Sequence, residues 1–324
     1  MQRGTRHRYG QAHGLAAVML VVTACGFTST LANAQSGDLA AAAKRGDLAV
    51  VNALLKSGAD VNDRRFTVYD QLGRGVSTAL MEASYNGHLE VVQALLAAKA
   101  DVNATLSDER NGQTALTLAV QKGHVEVVRA LLAANADADH RCCETSPLYF
   151  AARTANLNMV KVLLTAKPNL NRQAIEDTTA LIRTIATGKP ASPEIARLLI
   201  EAGANVNLSS SDGVTALTVA VQHSVGTVQL LLAAGANVDF RWCSVTPGRP
   251  AERFVSWDPG RATALGIASS LGKVDVVQTL LAAKADVNLA QCDGKTPLML
   301  ALENDRQEVA ELLRGAGARV PAEK

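Results

Sequence analysis

The stretch Gly87-His88-Leu89-Glu90-Val91-Val92-Gln93-Ala94-Leu95-Leu96 decides the fold, because it recurs along the chain. It returns as Gly123-His124-Val125-Glu126-Val127-Val128-Arg129-Ala130-Leu131-Leu132 and as Gly272-Lys273-Val274-Asp275-Val276-Val277-Gln278-Thr279-Leu280-Leu281. A Thr-Ala-Leu triplet stands at a constant distance before each copy, beginning at Thr78, Thr114 and Thr263. Self-similarity at a period of about 33 residues is the signature of a stack of small helical units.

An Asn or Asp closes each unit and marks the boundaries of the repeats. The closing residues are Asn62, Asn103, Asp139, Asn171, Asn207, Asp239 and Asn288, and Pro321 takes this place in the last copy. They divide the chain into approximate repeats at 36–62, 63–103, 104–139, 140–171, 172–207, 208–239, 240–288 and 289–321. The second and seventh repeats are longer than the others, which indicates an insertion in each.

Each unit reads as two helices joined by a tight turn. Thr78 is placed to cap the first helix through its hydroxyl, and Gly87 permits the positive φ of the turn. The second helix carries apolar residues at helical spacing, and no unit can bury such a stripe alone, so neighbours must stack. We expect the following leucines to be buried: Leu95, Leu96, Leu131, Leu132, Leu231, Leu280 and Leu281.

The units resemble ankyrin repeats, whose signature is Thr-Pro-Leu-His-x-Ala, then Gly-His-x-Glu-Val-Val, then Gly-Ala-Asp-Val-Asn. The resemblance covers Ser36 to the C-terminus and implies an all-α solenoid over residues 35–324. This solenoid would be a stack of about eight helix-turn-helix units with β-hairpin loops on one edge. The resemblance also implies a non-catalytic module that binds a partner protein, of unknown identity, through its concave face and hairpin loops.

The sequence departs from the ankyrin pattern at two positions. The signature histidine, which bridges neighbouring repeats in the family, is replaced in every copy, by Met81, Thr117, Tyr149, Ile182, Thr218, Gly266 and Met299. The loop glycine is replaced in several copies, by Lys99, Asn135, Lys167 and Lys284. If these loops keep a positive φ, each Lys costs about 1 kcal/mol.

Motifs and composition argue against a catalytic function and against nucleic-acid binding. The formal net charge of +2 is too close to zero to indicate a nucleic-acid partner. The sequence contains no Gly-x-Ser-x-Gly, no His-Glu-x-x-His and no phosphate-loop motif. We therefore expect a protein that is not an enzyme and carries no cofactor.

The N-terminal residues 1–34 are predicted to be a secretory signal peptide. Arg3, Arg6 and Arg8 form a basic start, an apolar run follows at 15–24, and Ala32-Asn33-Ala34 matches a cleavage site. The run is too short to span a bilayer, which needs about 20 residues. We expect a periplasmic protein; the alternative is a membrane-anchored lipoprotein, because Val22-Thr23-Ala24-Cys25 resembles a lipobox with Cys25 as the lipidated residue.

Export places the remaining cysteines in an oxidising compartment. Cys243 lies four residues after Asp239 and Cys292 four after Asn288, so they occupy equivalent positions in adjacent repeats. We regard them as candidates for a disulfide. A separate reading uses His140, Cys142 and Cys143 for redox or metal handling, but incidental thiols in a polar hairpin are the simpler interpretation, and no metal site is predicted.

The two insertions are the candidate partner-binding sites. The larger, within Phe240–Ala262, holds both tryptophans and several arginines, residue types that are enriched at interface hot spots. Its candidate residues are Arg241, Trp242, Arg253, Phe254 and Trp257. An alternative is that Trp242 and Trp257 pack on each other to hold the insertion.

The smaller insertion, roughly Arg64 to Val76, carries Arg64, Arg65, Phe66 and Tyr69 as further candidates. Because Gly73 and Gly75 favour mobility, a solvated loop is the favoured interpretation there, and a finger that contacts a partner is the alternative. For the whole protein, the leading hypothesis is an interaction scaffold of the bacterial cell envelope. An inhibitor or immunity protein of an exported enzyme would share the fold and differ only in its partner.

Overall fold

The computed structural model describes residues 39–69, 73–106, 112–142, 144–190, 192–243 and 262–319. These residues form eight successive helix pairs. The first pair is α1, described over 39–45, and α2 (Leu48–Lys56). The remaining pairs are α3 (Ala79–Asn86) and α4 (Leu89–Ala97), α5 (Ala115–Lys122) and α6 (Val125–Ala133), α7 (Pro147–Thr154) and α8 (Leu157–Leu164), α9 (Ala180–Ala186) and α10 (Ser192–Glu201), α11 (Ala216–His223) and α12 (Val225–Ala233), α13 (Ala264–Leu271) and α14 (Val274–Ala282), and α15 (Pro297–Glu303) and α16 (Gln307–Gly315).

A hydroxyl residue caps the first helix of every repeat from the second to the eighth. The hydroxyl of Thr78 accepts a hydrogen bond from the backbone N–H of Met81 at 3.3 Å, and six equivalent residues do the same in their repeats. Such a bond satisfies one of the backbone donors that a helix start leaves free. In the third and sixth repeats, Thr117 and Thr218 return the bond to the capping threonine and complete a capping box.

The turns between helices use the left-handed backbone that the glycines predict. Gly87 and Gly123 both have φ of 80°. Ala155 takes the same place in the fourth repeat with φ of 55°, so the turn persists there without glycine. In the loops after the second helices, Lys99 and Lys284 have φ of 66° and 65°, so these lysines adopt a conformation that favours glycine.

The core runs continuously along the stack, because first helices contact first helices and second helices contact second helices. Leu95, Leu131, Leu231 and Leu280 are fully buried, as predicted. The prediction was wrong for Leu96, Leu132 and Leu281, which are only half-buried. Each follows a buried leucine directly, and one residue turns about 100° around an α-helix, which carries the side chain off the buried stripe.

The closing Asn or Asp of each repeat is bonded to the next repeat. The Oδ1 atom of Asn103 accepts a hydrogen bond from the backbone N–H of Asp137 at 2.9 Å, and that of Asn207 accepts one from Asn237 at 2.7 Å. The same bond is made by Asn62, Asp139, Asn171, Asp239 and Asn288. The residues that define the period in the sequence therefore also define the register of the stack.

The insertion in the second repeat forms a β-hairpin, so the solvated-loop interpretation was wrong. Strand β1 (Arg65–Tyr69) pairs antiparallel with β2 (Gly73–Ser77). The sequence Phe-Thr-Val-Tyr at 66–69 is rich in aromatic and β-branched residues, which favour strands. Elsewhere in the described residues, the connections between repeats carry only isolated bridges, Cys142 with Thr145 and Ser209 with Thr215.

None of the helices in the described parts of the chain is long and apolar enough to span a bilayer. The predicted signal peptide at 1–34 and Cys25 lie outside the described residues.

Candidate partner-binding surface

The described start of the larger insertion is tied to the eighth repeat by two contacts. Arg241 donates a hydrogen bond from Nη1 to the backbone carbonyl of Ala290 in the eighth repeat, at 2.7 Å. Cys243 is joined to Cys292 of the same repeat by a disulfide, with 5.5 Å between the Cα atoms. These two ties hold residues 241 and 243 against the neighbouring repeat.

Trp242 stands between these two anchored residues and packs on the sixth repeat. A Cβ atom on Gly213 would clash with the Trp242 side chain, so the absence of a side chain at Gly213 makes room for the indole. Gly213 also has φ of 79°, a conformation that L side chains rarely adopt. Trp242 nevertheless remains 39% exposed. The chain therefore presents a large, partly exposed apolar side chain that packs on the sixth repeat and stands between two residues tied to the eighth.

Three of the predicted contact residues, Arg253, Phe254 and Trp257, lie outside the described residues. The alternative in which Trp242 packs on Trp257 also involves a residue outside the described ones, namely Trp257. Of the candidates in the second repeat, Arg64 is exposed, and strand β1 carries Arg65, Phe66 and Tyr69. Repeats three to six lie between the second and the seventh repeat, which carry the two insertions.

The residues of the alternative metal or redox site serve contacts between repeats. His140 bonds through Nε2 to the backbone carbonyl of Gly112, and Gln121 donates to the Sγ atom of the buried Cys142 at 3.6 Å. Both partners belong to the third repeat, so these bonds attach the start of the fourth repeat to its neighbour. Cys143 lies outside the described residues. In the described part of the chain, no three His, Cys, Asp or Glu side chains are grouped so that they could hold a metal ion.

The histidines after the turn glycines also reach the preceding repeat. The Nε2 atom of His88 lies 3.0 Å from the backbone carbonyl of Lys44, and that of His124 lies 3.1 Å from the carbonyl of Tyr85. Lys273 takes the same position in the seventh repeat and donates to the carbonyl of Gln222 at 2.6 Å. These residues do more than stabilise their own turns, because they satisfy carbonyls at the end of the previous repeat's first helix.

A model of the family described as ankyrin repeats (3 copies) matches residues 36–106, 80–174, 148–241 and 251–324. The chain belongs to the ankyrin repeat family. Membership of this family supports a role as a protein–protein interaction scaffold, because stacked repeats create an extended concave surface.

Individual relatives support this assignment. The mouse B-cell lymphoma 3 protein homolog is 34% identical over 146 residues, which is 44% of this chain and 28% of the relative. The human B-cell lymphoma 3 protein is 29% identical over 199 residues, 54% of this chain and 42% of the relative. The chain thus matches less than half the length of these two relatives.

A solved structure of the same relative agrees with the fold. The crystal structure of the ankyrin repeat domain of Bcl-3, described as a unique member of the IkappaB protein family, superposes with a TM-score of 0.60 at 27% identity. The alignment covers 74% of this chain and 99% of that domain.

The ankyrin positions that lack the signature histidine use other groups to bridge repeats. The hydroxyl of Tyr149 lies 3.1 Å from the hydroxyl of Thr178 in the next repeat. At Gly266 the missing side chain leaves room for Gln291 of the eighth repeat, because a Cβ on this glycine would clash with the Gln291 amide. The bridge is therefore built from different side chains at different interfaces.

Sequence reasoning missed a group of cations on the first helices. Lys122, Arg153 and Arg183 lie on α5, α7 and α9, and each stands against an aromatic ring. They occupy the eighth, seventh and fourth positions after the capping residues Thr114, Ser146 and Thr179. Aligning the repeats on those capping residues would have brought them to light, because positions four, seven and eight share one face of a helix.

At the end of the stack, the Lys295 ammonium lies 2.6 Å from a carboxylate oxygen of Glu303. The hydrogen bond that Lys295 donates to Glu303 raises the pKa of Lys295 above its ordinary value. Lys295 therefore keeps its charge throughout the neutral range and belongs to an ion pair rather than to a free basic patch.

Proposed function

We propose that this protein is a non-catalytic scaffold of the bacterial cell envelope that binds a partner protein through its concave face and its hairpin loops. The hairpin edge is the side of the stack formed by these connections between repeats, including the one that carries Trp242. The observation that carries the proposal is the exposed Trp242, held between two anchored residues of a repeat connection. Tryptophan and arginine are enriched at interface hot spots. A side chain presented on a fixed backbone loses little freedom on binding, which favours affinity.

The placement in the cell envelope rests on two features of the chain. Its first 34 residues have the basic start, apolar run and small-residue end of a secretory signal. The Cys243–Cys292 disulfide is of the kind that persists in oxidising compartments. An intact mass that matches a chain beginning at Gln35 would support a periplasmic protein. A mass that matches a chain beginning at a lipid-modified Cys25 would support the anchored alternative.

The experiment is a crosslinking capture from periplasm, with the captured proteins identified by mass spectrometry. The test variant is Trp242→Ala, and the matched control is Val50→Ala. Val50 is 37% exposed, close to the 39% of Trp242, but lies on α2 at the far end of the stack. Both variants must keep the circular dichroism spectrum of the parent protein.

We expect the parent and the Val50→Ala variant to recover the same partner, and the Trp242→Ala variant to recover much less. Equal recovery by all three proteins would refute the role of the hairpin edge. Failure to enrich any protein above a control lacking the bait would refute the scaffold in this compartment.

A further inference from the structure

We propose that the first-helix face of repeats three to five binds an acidic, extended segment of the partner protein. The first-helix face is defined here by Lys122, Arg153 and Arg183. The inference rests on the proposed function as a scaffold and adds the chemistry of the partner. It is independent of the hairpin edge around Trp242.

The three cations share a construction in which an aromatic ring supports the charged group. The ammonium of Lys122 lies 4.3 Å from the ring centroid of Tyr85 in the preceding repeat. The guanidinium of Arg153 lies 4.7 Å from the ring of Phe150. A cation at this distance from a ring face is attracted by the ring quadrupole, and the ring limits where the charge can move.

Arg183 is held more firmly than the other two. Its guanidinium lies 5.6 Å from the ring centroid of Tyr149, and its Nε donates a hydrogen bond to the Tyr149 hydroxyl at 2.8 Å. The tyrosine side chain is buried, 1% exposed, and so forms a fixed support. The remaining N–H groups of the guanidinium stay available to an acceptor outside the chain, because a guanidinium carries five donors.

These charges have no carboxylate partner within the described residues. The ion pairs there that involve Arg129, Arg172, Arg197 and Lys295 all lie elsewhere. On the first helix of the second repeat, Glu82 is 2% exposed and accepts a hydrogen bond from Ser77, so it does not offer its charge at the surface. The first-helix face therefore carries three positive charges that no carboxylate of the described residues neutralises, and an acidic partner could pair them.

The spacing of the cations selects the form of the ligand. Neighbouring helices pack about 8–10 Å apart, and an extended segment in the polyproline II conformation has three residues per turn and rises about 3.1 Å per residue. Cations on successive first helices therefore match every third side chain of such a segment crossing the helices, because those side chains lie on one face of it. We infer a partner segment with Asp or Glu at every third position.

A protein segment fits this surface better than a nucleic acid does. Single-stranded nucleic acids bind through base stacking on free aromatic faces as well as through charge. Here the Tyr85 and Phe150 rings each have a cation of the protein over them. The charges alone, three on a chain of net charge +2, are few for binding a phosphate backbone.

The test uses fluorescence anisotropy with defined peptides and the full mature chain. The probe is a labelled peptide in which Glu occupies every third position between serines. A second peptide has the same composition with its glutamates contiguous. A third probe is an oligodeoxythymidine of similar length. We expect the spaced peptide to bind most tightly, with an affinity that falls as salt is raised, because exposed charges are screened.

The test variant is Lys122→Gln with Arg153→Gln, and adding Arg183→Gln makes a triple variant. The matched control removes the same three charges from the second helices of the same repeats, as Arg129→Gln, Lys161→Gln and Arg197→Gln. Exposed ion pairs are weak, so we expect each substitution on the first-helix face to weaken binding about threefold. The triple variant should weaken it about 30-fold if the sites act independently, and the control should leave it unchanged.

The double variant retains the Arg183–Tyr149 bond, so it reports on charge even if the triple variant is unstable. Equal binding of spaced and contiguous peptides, equal binding by the variants and the parent, or tighter binding of the oligonucleotide would each overturn the inference. If a captured partner binds the triple variant and the parent equally, the acidic segment is refuted while the scaffold stands. If the peptide binds as expected but capture recovers no partner, the scaffold in this compartment is refuted while the acidic-segment site stands.

Discussion

Breaking the Cys243–Cys292 disulfide should destabilise the last two repeats. The bridge closes a loop with a sequence separation of 49 residues, for which the loop-entropy relation gives about 4 kcal/mol at 25 °C. In a stack, each repeat depends mainly on its neighbours, so the loss should be concentrated in α13 to α16 and should not spread evenly. The disulfide also fixes Trp242, so the same change should loosen the proposed binding edge.

The perturbation is the variant Cys243→Ser with Cys292→Ser. Urea unfolding followed by circular dichroism gives the overall stability, and hydrogen exchange read by mass spectrometry gives its location. We expect a lower unfolding midpoint and faster exchange in α13 to α16, with α3 to α6 unchanged. Wild-type protein reduced under the same conditions should behave like the variant, which separates the loss of the bridge from the change of side chain.

Two outcomes would refute this reasoning. If the oxidised wild type and the double variant share one midpoint, with intact masses that verify the presence and absence of the bridge, the disulfide does not stabilise the stack. If exchange accelerates equally in all repeats, the stabilisation does not act through nearest neighbours.

Three further predictions concern the stability of the stack. Leu131→Ala should lower the free energy of unfolding by about 2–5 kcal/mol, because Leu131 is fully buried, whereas Leu132→Ala should cost clearly less; equal losses in urea unfolding would contradict the burial pattern. Asn207→Ala should cost about 1 kcal/mol, because its amide bonds two backbone groups of the next repeat, and exchange of the Asn237 amide should accelerate; an unchanged rate there would contradict the bond. Lys99→Gly should raise stability by about 0.5 kcal/mol, since relief of the left-handed backbone at φ of 66° outweighs the added freedom of the unfolded chain; a loss of stability in thermal unfolding would argue against strain at this residue.

Most of the fold could be predicted from the sequence because its determinants are local. Thr78 caps a helix that begins one residue later, and Gly87 makes a turn between two adjacent helices, so both roles depend on neighbours in sequence. The closing residues such as Asn103 could be placed because they recur, although their bond to the next repeat is not visible in one copy. The prediction for the half-buried Leu132 was wrong because two consecutive leucines, Leu131 and Leu132, do not show from sequence alone which of them faces the neighbouring helix.

Contacts between repeats were harder to predict because they join residues far apart in sequence. Gln291 fills the space at Gly266 from a distance of 25 positions along the chain, and nothing local to either residue announces the match. The sequence of the smaller insertion predicts a loop where the structure pairs β1 with β2, because the glycines of β2 outweigh the strand-forming residues of β1 in a local reading.

The candidate site divides in the same way. Trp242 and the pair Cys243 and Cys292 could be proposed from composition and equivalent spacing, whereas the cations Arg153 and Arg183 stand at different positions in their repeats and come together only when the repeats are aligned on their capping residues. Their common face depends on the geometry of the helices and on rings contributed by neighbouring residues. Sequence periodicity identifies the positions that all repeats share, whereas these candidate binding residues lie at positions where the repeats differ.

The connection after Asp239 is the part of the chain that we propose contacts a partner protein. The most direct measurement is the affinity of the captured partner for the parent and for a variant in which Phe240–Ala262 is replaced by an Asp-Gly turn, by biolayer interferometry. A variant with the disulfide removed but the insertion intact controls for the loss of Cys243. We predict that the shortened variant, folded by circular dichroism, loses at least tenfold in affinity, as expected when a hot spot contributing about 2 kcal/mol is removed. A correctly folded shortened variant that binds the same partner as tightly as the parent would contradict the claim.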